Sequence, residues 1–297
     1  MNKPQLVRIA TYSSVVIATL LLLLKAYAWW HTDSVSILAS LLDSAIDIAA
    51  SIMIVFAVHI AQSPADKEHR FGHGNAEPIA ALAQSIFIAG SAIYLIIYSV
   101  ERFIDPQAIQ SADLGLIVMI ISLIVTFGLL SFQRYVIIKT QSTAIKADSL
   151  HYLSDVLANI LVIITLWFSA IQWIDPILGF TIAIWIFYSA VRIALEAGNQ
   201  LLDHELSQEI REEITQITLE TSDVLGINDL RSYQSGPNKF VQFDLELDDN
   251  LTLFESHQIT EKVTKKLKQR FTDLDVMIHQ EPVSLKHDET HHTWGRD

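Results

Sequence analysis

Cysteine is absent from all 297 residues. That excludes disulfides and every thiolate metal site, so any bound metal must be held by histidine and carboxylate. Charge is sparse too: Asp, Glu, Lys and Arg make up 18% of the sequence, against 51% hydrophobic residues. Such a balance fits either a rich soluble core or a membrane protein, and distribution decides between them. There is no polybasic cluster of the kind that binds anionic lipid. The net charge of −13 argues against a nucleic-acid partner, which would favour a basic face. The first apolar run lacks a small-x-small cleavage site and is followed by more such runs, so it reads as a retained helix and not a signal peptide.

What is present is hydrophobic length. Six apolar stretches precede residue 203, at roughly 8–30, 35–61, 78–100, 114–138, 152–173 and 176–201. Each reaches the ~20 residues a helix needs to cross a bilayer. Six spans put both ends on one side. Lys3, Arg8, Lys67, Arg70, Arg134, Lys139, Lys146 and Arg192 fall on that side, and only Lys25 and Arg102 near the other. The positive-inside rule then makes both termini cytoplasmic. Trp29, Trp30, Tyr98 and Trp173 come near outer helix ends, where amphipathic rings favour the interface; core packing is the plainer reading for some of them.

After Asp203 the composition changes, with 19 Asp+Glu against 10 Lys+Arg over residues 204–297. Ile210, Ile214 and Ile217 recur at helical spacing, while Val241, Phe243, Leu245 and Leu247 alternate with polar residues. A preceding strand over 226–234, a second helix over 252–271 and a last strand at Leu274, Val276 and Ile278 complete the order α-β-β-α-β. This is a ferredoxin-like arrangement without its first strand. The expected fold class is a six-helix all-α transmembrane domain, 1–203, followed by an α+β ferredoxin-like cytoplasmic domain, 204–285. Residues 286–297, rich in His, Asp and Thr, are expected to be a disordered end.

Asp43 and Asp47 lie four apart in the second span, and His151 and Asp155 four apart in the fifth, so each pair shares one helix face at bilayer depth. A central Asp costs about 2.5–3.5 kcal/mol on insertion scales, so three in two helices need compensation. A shared cation supplies it, and four N/O ligands suit a tetrahedral divalent ion, zinc above all. A structural polar seam, or His151 as a mere proton relay, is the plainer alternative. Ser34, Ile37, Ala39, Leu42 and Asp47 recur as Ser142, Ile145, Ala147, Leu150 and Asp155, all at an offset of 108 residues. Paired similar helices are how many transporters build a midplane site. In the loop 62–75, Asp66, His69 and His73 could clip one metal, or be an ordinary charged turn.

The Asp-x3-Asp and His-x3-Asp pairs, Phe71-Gly72-His73-Gly74 with Glu77, Ser34-Val35-Ser36-Ile37-Leu38-Ala39 and Phe132-Gln133-Arg134 resemble the cation diffusion facilitator family, above all its bacterial zinc and iron(II) efflux antiporters. The resemblance covers residues 1 to about 285. It implies a homodimer in the bacterial inner membrane and proton-coupled export of a divalent metal from the cytoplasm. It places a transport site on Asp43, Asp47, His151 and Asp155, and a loop site on Asp66, His69 and His73. Zn2+ is the first choice of substrate, with Fe2+ and Cd2+ next; no cofactor is required, and metal ions, protons and membrane lipid are the expected partners. The family's tail carries a binuclear site, but here Asn228 and Asp244 stand where it has histidines, and Glu281 where it has an aspartate. That leaves His257, His279 and Glu281 as the ligands the resemblance implies. Asn75 replaces the family's basic residue, so Asp203 lacks the interlock partner the resemblance would give it.

Two rivals remain. A membrane metallohydrolase would need an activating base near an open metal position, and no His-Glu-x-x-His occurs. A non-transporting metal sensor would need no polar centre in its anchor.

Overall fold

The computed structural model describes residues 2–32, 35–104, 113–167 and 173–284; of the helical residues among these, the side chains of 31, 32, 35–40, 42, 43, 113–118, 162–167, 174 and 175 fall outside the description. The expectation for 286–297 lies outside the described residues. Six long helices come first: α1 (Lys3–Thr32), α2 (Val35–Ala61), α3 (Ala76–Ile104), α4 (Asp113–Thr140), α5 (Thr143–Trp167) and α6 (Ile174–Leu201). Five carry a stretch long and apolar enough to cross a membrane. The other is α5, which bears Lys146, Asp148, His151 and Asp155. Its 25 residues still reach about 37 Å at 1.5 Å per residue, more than a ~30 Å hydrocarbon layer.

The apolar pattern predicts the fifth helix from residue 152, yet α5 starts at Thr143. Its start is fixed by polar chemistry that a hydropathy reading passes over. The Ser142 hydroxyl accepts the Ile145 N–H at 3.3 Å. The Glu77 carboxylate of α3 accepts from that hydroxyl and from the backbone N–H groups of Thr143 and Ala144. Orphan donors at a helix start want such oxygens. His151 is therefore well inside the helix and not at its mouth.

Neighbouring helices close a ring, α1 to α2 to α3 to α5 to α4 and back to α1. One core joins Leu6, Val7 and Ala10 to Ile54, Val58, Val136 and Ile145. α6 packs outside the ring, with Ile186 and Ala190 against Ile88, Ala92 and Leu150, and Ala197 against Ala81 and Ala147. Ile124, Phe127, Tyr94 and Tyr188 each leave more than half of their surface exposed. In water that much bare apolar surface marks an interaction face; on spanning helices it is the lipid-facing surface.

The second compact unit starts at Gln200. It contains α7 (Gln208–Leu219), β1 (Gly226–Ser235), β2 (Asn238–Leu247), α8 (Leu253–Arg270) and β3 (Leu274–Pro282). β1 pairs antiparallel with β2, and β3 pairs parallel to β2. A parallel neighbour requires a crossover, and α8 provides it. Alternation sends Val241, Phe243, Leu245 and Leu247 inward to meet Ile214 of α7 and Ile259, Val263 and Leu267 of α8. Thr252 and Glu255 form a capping box at the start of α8. The Thr252 backbone N–H and hydroxyl both donate to the Glu255 carboxylate and hold it below its usual range.

Candidate metal centres

The helical spacing brings α2 and α5 face to face at the predicted residues. His151 Nε2 lies 2.9 Å from Asp47 Oδ1. Asp47, His151 and Asp155 each offer a ligand atom, all within 4.8 Å of one another. Bonds of about 2.1 Å to a tetrahedral zinc put its ligands about 3.4 Å apart, so the three need only small shifts to share an ion. Asp43 sits one turn before Asp47 on α2, and its side chain is outside the described residues. His151 is 7% and Asp47 9% exposed, so neither carboxylate nor imidazole has bulk water as an alternative partner. The Phe87 ring of α3 stands edge-on to the imidazole at 6.3 Å. Tyr152, next along α5, shares a 2.7 Å hydrogen bond with Ser51 of α2 and donates to the Ser14 carbonyl of α1 at 3.3 Å. These contacts fix the α2–α5 register on which the site depends.

The loop trio is also assembled. Asp66 Oδ1 accepts the backbone N–H groups of Glu68 and His69, at 2.9 and 2.6 Å. That Asx turn curls the chain back and holds the Asp66 carboxyl below its usual range, the His69 bond being the larger cause. Gly72, at φ +86°, completes the reversal. His69 Nδ1 and His73 Nε2 then lie 3.5 and 3.4 Å from the two Asp66 oxygens. All three offer ligand atoms within 4.8 Å. His73 Nδ1 is buried and has no hydrogen-bond partner among the described residues.

Residues 11–202 match the model of the cation efflux transmembrane domain, and 206–283 that of the cation efflux protein cytoplasmic domain. The chain belongs to the cation efflux family. It is 44% identical over 295 residues to the cation-efflux pump FieF of Yersinia enterocolitica, covering 98% of this chain and 97% of that one. The pumps of the same name from Citrobacter koseri and Salmonella choleraesuis are 45% and 46% identical over 283 residues, in each case 95% of this chain and 94% of the relative. A cation efflux protein of the multi-pass inner-membrane kind, and not an enzyme, is what this kinship makes it.

Sequence reasoning within the cation efflux family pointed to His257, His279 and Glu281 in the cytoplasmic domain. Among the described residues these three do not come together within one chain: the tight groupings are the two above. Strand register explains the difference. Asn228, Asp244 and His279 lie in one row across the sheet, and His279 Nδ1 is 3.2 Å from Asp244 Oδ1. His279 and Glu281 alternate with Val276 and Ile278, which pack inward, so they face away from the layer holding α8 and its His257. Asn228 instead donates to Glu246. Sequence reasoning missed Asp148, Ser14, Ser51 and Tyr152, and gave Gln133 no role beyond its place in the Phe132-Gln133-Arg134 motif. Asp148 was findable, as an ionisable residue in a span three positions before His151.

Proposed function

We propose that this cation efflux protein is a homodimeric antiporter that exports a divalent transition metal, Zn2+ first, in exchange for protons by alternating access between cytoplasm and exterior. The His151–Asp47 contact carries the reading. A 2.9 Å bond between an imidazole nitrogen and a carboxylate oxygen needs a proton between them, whereas a metal needs both lone pairs. Metal and proton therefore compete for the same two atoms. Asp47, Asp155 and, by the sequence pattern, Asp43 bring three carboxylates to a low-dielectric centre that favours occupation by M2+ or by protons over an empty site. An acidic exterior would protonate the pair and release the metal; a neutral cytoplasm would let the next ion bind. Asp66, His69 and His73 form a second metal site in the loop, off the translocation path. Two tails associate through their cytoplasmic domains.

Purified protein in sealed proteoliposomes, with metal on one side and an imposed pH gradient, tests the reading. Zinc flux should follow the gradient and reverse with it, with a matching counterflow of protons read by an internal pH dye. Zinc flux indifferent to the gradient would rule out antiport, and an absence of flux with every metal tried would favour the sensor reading.

A further inference from the structure

Asp148 belongs to neither metal centre. It lies on α5 one turn before His151 and is 0% exposed. Its Oδ2 accepts from Ser14 Oγ of α1 at 2.7 Å and from Gln133 Nε2 of α4 at 2.8 Å. Gln133 Nε2 is also 3.0 Å from Ser14 Oγ. The other two oxygens, Asp148 Oδ1 and Gln133 Oε1, are both buried and have no hydrogen-bond partner among the described residues. Among the described residues no lysine or arginine bonds to the trio. The ionisable groups facing Asp148 are His151 and Tyr152 of its own helix and Asp47 of α2, while α1 and α4 present only the neutral Ser14 and Gln133.

An ionised carboxylate with one oxygen bare in a protein interior is strongly disfavoured, and such a group neutralises instead. Neutralisation here resolves two orphans at once. A proton on Oδ1 turns it into a donor, and Gln133 Oε1 is a bare acceptor on the amide whose N–H already reaches Oδ2. Such a proton would complete the two-point pairing of a carboxylic acid with a primary amide, O–H to carbonyl beside the N–H to carboxyl bond already present. Turning the amide over would set Oε1 against Oδ2, two acceptors, and would require the same proton.

We propose that Asp148 is a resident proton site: a neutral carboxylic acid, paired with Gln133, that fastens α5 to α1 and α4 and so positions His151 and Asp155 against Asp47. It is a positioning residue and not a metal ligand, and its proton stays in place when metal exchanges. Its isostere is therefore asparagine, which keeps a neutral amide–amide pairing with Gln133, whereas alanine removes the tie.

The test uses the full-length protein in detergent. Infrared difference spectra between wild type and Asp148→Asn should show the carbonyl stretch of a protonated carboxyl in wild type only, and it should persist from mildly acidic to mildly alkaline pH and with zinc added or chelated. This readout does not depend on transport, so a failure of the antiport reading leaves it standing. Zinc affinity by calorimetry should be retained in Asp148→Asn and fall about 10- to 100-fold in Asp148→Ala, the loss usual when the support behind a metal ligand goes. A spectrum identical in wild type and Asp148→Asn would overturn the proposal. So would an Asp148→Asn protein that binds zinc as poorly as Asp148→Ala or fails to fold, since either would mean that the negative charge is required.

Discussion

At the scale of single residues, the proposed site separates groups that would hold the cargo from groups that would hold the holders. Asp47 and Asp155 each contribute an oxygen to the α2–α5 cluster, so Asp47→Ala or Asp155→Ala should abolish metal flux while the protein still inserts and elutes as a dimer. Wild-type flux in either variant would remove the site from that place. His151→Ala should lower zinc affinity and also flatten its dependence on pH, because on the proposed exchange the proton that competes with metal sits on the 2.9 Å bond to Asp47. Loss of the pH dependence at unchanged affinity would contradict the shared use of that pair. In the loop, Asp66 is held below the usual carboxylate range by the His69 and Glu68 N–H groups. A depressed folded value means that Asp66 stays ionised below its ordinary titration point and gains a proton only when the pH falls further. His73→Ala should alter rate or apparent affinity without stopping flux, and complete inactivity there would place the loop on the path after all.

The elements show what a sequence can and cannot disclose. Spans and strands were legible because each repeats one physical demand many times: apolar length for α1 to α4 and α6, strict alternation for β2, and three-and-four spacing for α7 and α8. The face-to-face placement of Asp47 with His151 and Asp155 was legible for the same reason, since four-residue spacing fixes a helix face. The start of α5 was not, because it rests on single tertiary contacts, Glu77 and Ser142 on its first N–H groups. Nor was the separation of His257 from His279, which depends on which side of the sheet each faces. Two variants probe these ends. Glu77→Ala should unravel the first turn of α5 at a cost near the upper end of cap losses, ~1–2 kcal/mol, seen as a lower melting temperature with weaker zinc binding downstream at His151. Leu267→Ala, at a site 0% exposed in the tail core, should cost about 2–5 kcal/mol. Calorimetric melting of the tail that is unchanged in this variant would mean that the core described is not the one that holds the domain.

For the whole molecule, charge and register in the tail bear on how two copies meet. The segment 204–297 carries 19 acidic against 10 basic side chains, so two tails repel each other unless cations lie between them. Within one chain His279 is paired with Asp244, Asn228 is committed to Glu246, and His257 lies on a helix behind the sheet. Among the described residues, no single tail then offers the four ligands of a closed zinc site. Fewer than two tight zinc ions per chain should be found by calorimetry on residues 204–297, a unit with its own buried core. Chelation should weaken association of these tails most at low ionic strength, where screening reaches about 30 Å at 0.01 M against about 8 Å at physiological salt. Added salt should partly replace the metal, because both act on the same repulsion. With pairing of the membrane helices expected to hold two full-length copies together, chelator should change the distance between spin labels on the two tails more than it changes the oligomeric state. Two tight sites per chain, or a tail spacing indifferent to both chelator and salt, would show that repulsion between acidic tails is not what the metal relieves.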